Sequence, residues 1–310
     1  MVAPTGDQFE IGAGGYRAVV TEGGATLRQL EHDGRPIVDG FAEDTMPTVG
    51  RGQLLMPWPN RIRGGQYTWG DRDLQLALSE VARGNASHGL VRWAAWSLEE
   101  LSGASVSLSY RLMAQSGYPW TLDLHVLYDL SADGLTVTQT ATNLSSTPAP
   151  YASGAHPYVR VGSAAVDDRV DSWELTVPAA SRLLVDDQMI PVGSEPVEGT
   201  PYDFRVSRPV RDTVVDHAFG DLDRDASGVA TVVVRDPATG DGVAVWMDDR
   251  HRWIQVFTAE LDPVPRRAVA VEPMTSPPDA FRSGTDLVVL APAGTDGDEH
   301  SASWGIRSLS

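Results

Sequence analysis

The chain has 310 residues, 42% of them hydrophobic and 21% charged, which is ample apolar material for a large core. Its formal net charge is −18 and its 24 basic residues are all arginine, so nucleic acid and anionic membrane surfaces are disfavoured as partners and lysine Schiff-base chemistry is excluded. With no cysteine, disulfides, thiolate nucleophiles, iron–sulfur clusters and cysteine zinc sites drop out together.

The first residues, MVAPTGDQFEIGAGGYR, carry no basic segment leading into an apolar one, so no secretory signal is visible. No apolar run approaches the roughly 18 residues of a spanning helix, and the expected location is cytoplasmic. From residue 105 the dominant period is two. Ser105–Leu112 alternates apolar and polar side chains, and Thr121–Leu130 sets Leu122, Leu124, Val126, Tyr128 and Leu130 on one face. The turn signal Ala132-Asp133-Gly134 leads into Leu135–Thr142, which alternates again. This predicts an antiparallel hairpin with one face buried. Pro191–Asp203 reads as an internal loop. Further strands are expected at Val229–Arg235, Val243–Asp248, Trp253–Thr258, Ala268–Val271 and Leu287–Leu290. Ala291–Ser303 reads as a tail before a closing strand at Trp304-Gly305-Ile306. No helix of three turns, no repeat and no dividing linker is evident. The 30 glycines and 21 prolines among short strands predict an all-β sandwich or barrel, with residues 1–310 as a single domain.

Four segments join polar side chains to stiff, turn-forming neighbours. In Leu54–Gly64, two prolines flank Trp58 and hold Asn60 and Arg61 on a rigid loop. In Asn85–Trp93, His88 precedes a glycine. In Gly154–Tyr158, His156 precedes a proline that biases it toward extended backbone. In Val271–Phe281, Glu272 stands at the predicted end of a strand before a proline-rich turn.

Taken together, Pro59-Asn60-Arg61-Ile62, His88-Gly89-Leu90, His156-Pro157-Tyr158, Asp216-x-x-Phe219 and the E-P-x-T-x-P-x-x-A-F pattern from Glu272 to Phe281 resemble the aldose 1-epimerases, the galactose mutarotase-like family. The likeness runs over roughly residues 10 to 306. It implies a large antiparallel β-sandwich and the interconversion of α and β anomers of a free aldose. It further implies Glu272 as general base on the anomeric hydroxyl and His156 as general acid at the ring oxygen. By the same likeness, Arg61, His88 and Asp216 bind sugar hydroxyls and Asn60 holds the Arg61 loop. Such ring opening needs one carboxylate and one imidazolium facing each other across the sugar, and no cofactor or metal. The implied partner is a small-molecule sugar, with the chain a monomer or homodimer. Galactose, glucose, another aldohexose and a C6-modified sugar such as a sulfonated one all suit the same set.

Two other functions use the same residues differently. A glycoside hydrolase would pair Asp216 with Glu272 across a glycosidic bond. A noncatalytic carbohydrate-binding protein would keep the fold and lose the acid or the base, and this chain has both. Histidine spacing offers no metal site. Trp58, Trp93 and Trp253 are candidates to stack on a sugar face, with core packing the more common role for such residues.

Overall fold

The structure is a computed structural model that describes residues 2–162, 169–261 and 264–309. Strands dominate it. Among the described residues the helices are Ala280–Ser283 and a single 3-10 turn at Val170–Ser172.

The predicted hairpin forms from Leu122–Ser131 and Gly134–Asn143, with Ser131 opposite Gly134 across the turn. Burial alternates residue by residue along both strands, as a half-buried sheet requires. Tyr128 lies opposite Val137 and Val126 opposite Gln139, so one face of the pair is sealed. This hairpin supplies the third and fourth strands of a nine-stranded antiparallel sheet. Ser105–Leu112 and Ser97–Leu101 extend it on one side. On the other side follow Glu299–Leu309, Gly242–Met247, Ala230–Arg235, Glu174–Thr176 and Arg208–Pro209.

A second sheet of eight strands covers the buried face. Its path runs Pro191–Pro196, Ala179–Val185, Asp216–Leu222, Trp253–Phe257, Val269–Met274, Gly154–Ala155 and Leu54–Leu55, and Tyr158–Val159 also pairs with Val269–Met274. One cluster of buried side chains joins the sheets, with Val126, Val137 and Trp304 from the first meeting Ile254, Val256, Val269 and Val271 from the second. The architecture is therefore a large antiparallel β-sandwich. A four-stranded sheet, Gln8–Ala13 through Arg35–Pro36, adds to it near the N-terminus.

Three sequence expectations change. Pro191–Pro196 is an edge strand paired with Ala179–Val185, a place where a sheet tolerates proline because one side needs no ladder donor. The supposed tail contributes residues 299–303 to an eleven-residue strand inside the nine-stranded sheet, between Gly134–Asn143 and Gly242–Met247. Glu272 does not end a strand, since its strand continues to Met274 and is buried throughout.

That last strand places the chemistry. Along Val269–Met274, Val269 and Val271 point into the core between the sheets. Ala270 packs with Tyr158 and Phe257, and Met274 with Leu183 and Ala218. Glu272 shares the parity of Ala270 and Met274, so it stands on the opposite face. Register then lines up its neighbours: Gln255 pairs with Glu272, while Phe257 pairs with both Ala270 and Asp216.

Candidate active site

On that outer face lies a cavity of about 250 Å³, lined among others by Asn60, His88, His156, Asp216, Gln255 and Glu272. Five of the six residues expected from sequence thus line one space, contributed by segments more than 200 positions apart.

His156 Nε2 sits 3.3 Å from Glu272 Oε1. The imidazole is held from several directions. Its backbone N–H donates to Gln53 O at 3.0 Å, and its carbonyl accepts from Gly52 N at 2.9 Å. Its ring stacks on Tyr158, with centroids 5.0 Å apart and planes 5° from parallel. The Tyr158 hydroxyl donates to Val49 O at 2.9 Å. Gly50 has a left-handed φ of 80°, and a Cβ there would come within 2.6 Å of His156 Cδ2, so the loop presses directly on the ring.

Asn60 and His88 form a second unit. Both take left-handed φ, 53° and 61°, a region that Asn adopts more readily than most residues. They brace each other: His88 N donates to Asn60 O at 2.8 Å, and Asn60 N donates to His88 Nδ1 at 3.2 Å. Because Nδ1 accepts, neutral His88 carries its proton on Nε2 as a ready donor. The Asn60 amide donates to Gln255 Oε1 at 3.3 Å, and Gln255 Nε2 donates to Asp216 Oδ1 at 2.6 Å. Gln255 is therefore the link between the loop and the acid.

Arg61 lies beside the cavity, clasped by a residue that sequence reasoning missed. Its Nε donates to Glu80 Oε2 at 2.7 Å, its Nη2 to Glu80 Oε1 at 3.0 Å, and its Nη1 to Asn60 Oδ1 at 3.3 Å. Such a bidentate fork fixes the guanidinium plane. Burial works against its charge, yet Glu80, Asp216 and Glu272 together strengthen its hold on the proton.

Burial dominates the electrostatics of the pair. Burial pushes the Glu272 carboxyl well above the usual carboxylate range, with the nearby Asp216 charge adding to it and Arg61 opposing. Burial drives His156 down to about 3, helped by Arg92 and Arg51. His88 also falls well below its ordinary value, first through burial and then through His156 and Arg92. A neighbouring carboxylate favours imidazolium, and desolvation outweighs it at His156. Both shifts favour the neutral forms, a protonated Glu272 carboxyl beside an uncharged imidazole.

Among the three tryptophans, Trp58 is core, edge-on to Phe281. Trp253 donates to Asp286 and packs in the sheet-face cluster. Trp93, 57% exposed, is the one at the cavity. Among the described residues, no three His, Asp or Glu side chains are grouped to hold a metal ion. No helix there is long and apolar enough to cross a membrane.

The fold is shared with solved structures. A GalM/aldose epimerase homologue from C. elegans superposes with a TM-score of 0.85 at 19% identity, covering 98% of each chain. Galactose 1-epimerase from Lactobacillus acidophilus gives 0.79 at 18% identity, over 96% of this chain and 92% of that one. In sequence, the uncharacterised protein YihR of Escherichia coli K12 is 32% identical over 287 residues, 92% of this chain and 89% of YihR. The aldose 1-epimerase family profile matches residues 7–300, and the chain belongs to that family.

Proposed function

We propose that the protein is a mutarotase, converting α and β anomers of a free aldose into one another through ring opening. The observation that carries this is the His156–Glu272 pair, 3.3 Å apart and walled by hydroxyl-binding groups. The two groups stand side by side rather than across a ring. That spacing suits two oxygens borne by one carbon, which is what the anomeric centre offers: O1 and the ring oxygen O5.

With the proton transferred from Glu272 to His156, the carboxylate takes the O1 proton as the C1–O5 bond breaks and the imidazolium protonates O5. The product is the open aldehyde. Rotation about C1–C2 presents the other face, and the reverse proton transfers close the ring as the opposite anomer. The pair ends with the proton count it began with, so no step calls for a metal, a nucleotide or a covalent intermediate. Asp216, His88 Nε2–H and Arg61 Nη1 hold the remaining hydroxyls, and Asn60 joins them to the sheet.

Anomer exchange followed by NMR across free aldoses, with spontaneous mutarotation subtracted, tests the reading. Exchange above the uncatalysed rate with no release from nitrophenyl glycosides supports it. Glycoside cleavage without exchange would mean that Asp216 and Glu272 work as a hydrolase pair.

A further inference from the structure

The cavity holds one cation that the reaction does not use. Arg92 lines it together with Trp93, Pro47, Val49 and Gly50, on the wall next to His156. Arginines elsewhere near this face have carboxylate partners: Arg51 and Arg267 pair with Asp39, Arg61 and Arg83 with Glu80, and Arg63 with Asp186. Arg92 has no carboxylate within ion-pair distance among the described residues. Its one side-chain hydrogen bond there is Nη1 to Gln53 Oε1, at 3.4 Å. Glu80 acts on it only from a distance and is already taken by two other guanidiniums.

Resting on the mutarotase reading, we propose that this cavity takes an aldose with an anionic group on C6, and that Arg92 recognises that group. The direction follows from the chemistry of the ring. His156 serves O5, O5 is bonded to C5, and C5 carries C6, so the C6 substituent falls on the His156 side of the sugar. Arg92 is on that side: it lines the cavity with His156, and its Nη1 bonds the side chain of Gln53, whose carbonyl accepts the His156 N–H. A carboxylate, sulfonate or phosphate presents at least two acceptor oxygens to the guanidinium fork, and a neutral hydroxymethyl group leaves the cation unpaired. An unpaired cation in a closing, low-dielectric site is costly, and it weakens the imidazolium that the reaction requires. A C6 anion relieves both penalties at once.

The test compares binding and turnover separately. Methyl glycosides cannot open, so their binding does not depend on mutarotase activity. Isothermal titration would compare methyl glucoside with its 6-carboxylate, 6-sulfonate and 6-phosphate counterparts, on the wild type and on Arg92→Gln and Arg92→Lys. At least one anionic glycoside should bind about ten- to a hundredfold tighter than methyl glucoside, the range of a charge-assisted hydrogen bond. The preferred arm identifies the anion. Arg92→Gln should erase the ratio and Arg92→Lys keep part of it, a charge dependence that a packing role would not show. Equal binding of all four glycosides, or a ratio unchanged in Arg92→Gln, overturns the proposal. Absence of exchange with the free sugars, beside a retained binding preference, overturns the mutarotase reading alone.

Discussion

Two buried carboxylates a short distance apart in function are opposites in environment. Asp39, 4% exposed, has both oxygens engaged: Arg267 reaches them at 2.8 and 2.9 Å, Arg51 meets Oδ2 at 3.0 Å and Arg160 stands 3.8 Å from Oδ1. Glu272, 2% exposed, has one oxygen 3.3 Å from an imidazole and the other with no hydrogen-bond partner among the described residues. The first is a charge neutralised by fixed partners, which the fold depends on. The second is held in want of partners, so burial favours its protonated form. The regions also touch, because the Arg51 guanidinium that pairs with Asp39 lies 4.5 Å from the centre of the Tyr158 ring on which His156 stacks. Structural charge thus stands behind the His156 ring and works against a proton on it.

The contrast is broken most sharply by exchanging effects between the two sites. Glu272→Gln should cut kcat by about 10²–10⁴-fold while leaving the unfolding midpoint nearly unchanged, since it removes a base and no satisfied bond. Anomer-exchange rates beside a denaturation curve decide it, and near wild-type exchange would remove Glu272 from the mechanism. Asp39→Ala should do the reverse. Removing the buried carboxylate that these guanidiniums share costs about 3–5 kcal/mol of stability, readable by urea unfolding, with kcat of the folded fraction falling far less than in the Glu272 variant.

Arg61→Ala should come next, raising KM about tenfold or more through lost charge-assisted donors while Glu80 is left without its fork. An unchanged KM in a folded variant would make Arg61 purely a partner of Glu80. Gly50→Ala is the subtler probe. Its Cβ would displace the His156 ring and lower kcat by about tenfold, because small misplacements of a catalytic group are expensive. A Gly50→Ala enzyme with full activity would show that the loop does not set the ring.

The pH profile sharpens the comparison without any mutation. The working pair carries one proton. Falling pH adds a second, on His156, only toward about 3, and the acid limb belongs there. Rising pH removes the single proton as it passes the raised value of Glu272, which sets the alkaline limb. The kcat/KM bell should therefore be broad, with limbs that belong to the pair. A narrow bell bounded by ordinary Glu and His values would contradict the desolvation that the cavity imposes.

Much of this molecule can be read from its residues in order. Alternation at 105–112 and 121–142 is a local property of the chain, and the strands follow it. Five short motifs, each weak alone, mark Asn60, Arg61, His88, His156, Asp216 and Glu272 through their joint resemblance to the aldose 1-epimerases. What lies beyond local constraint is decided by packing. Glu80 meets Arg61 through side chains 19 positions apart, and Gln255, a lone polar residue in Trp253–Phe257, gains meaning only when register sets it opposite Glu272. The eleven-residue strand at 299–309 forms because two existing strands supply ladder partners on both sides, which composition cannot announce. Protonation is the clearest case. Sequence identifies an acid and a base, but the low dielectric that moves His156 down and Glu272 up exists only once both sheets and the loop have closed around them.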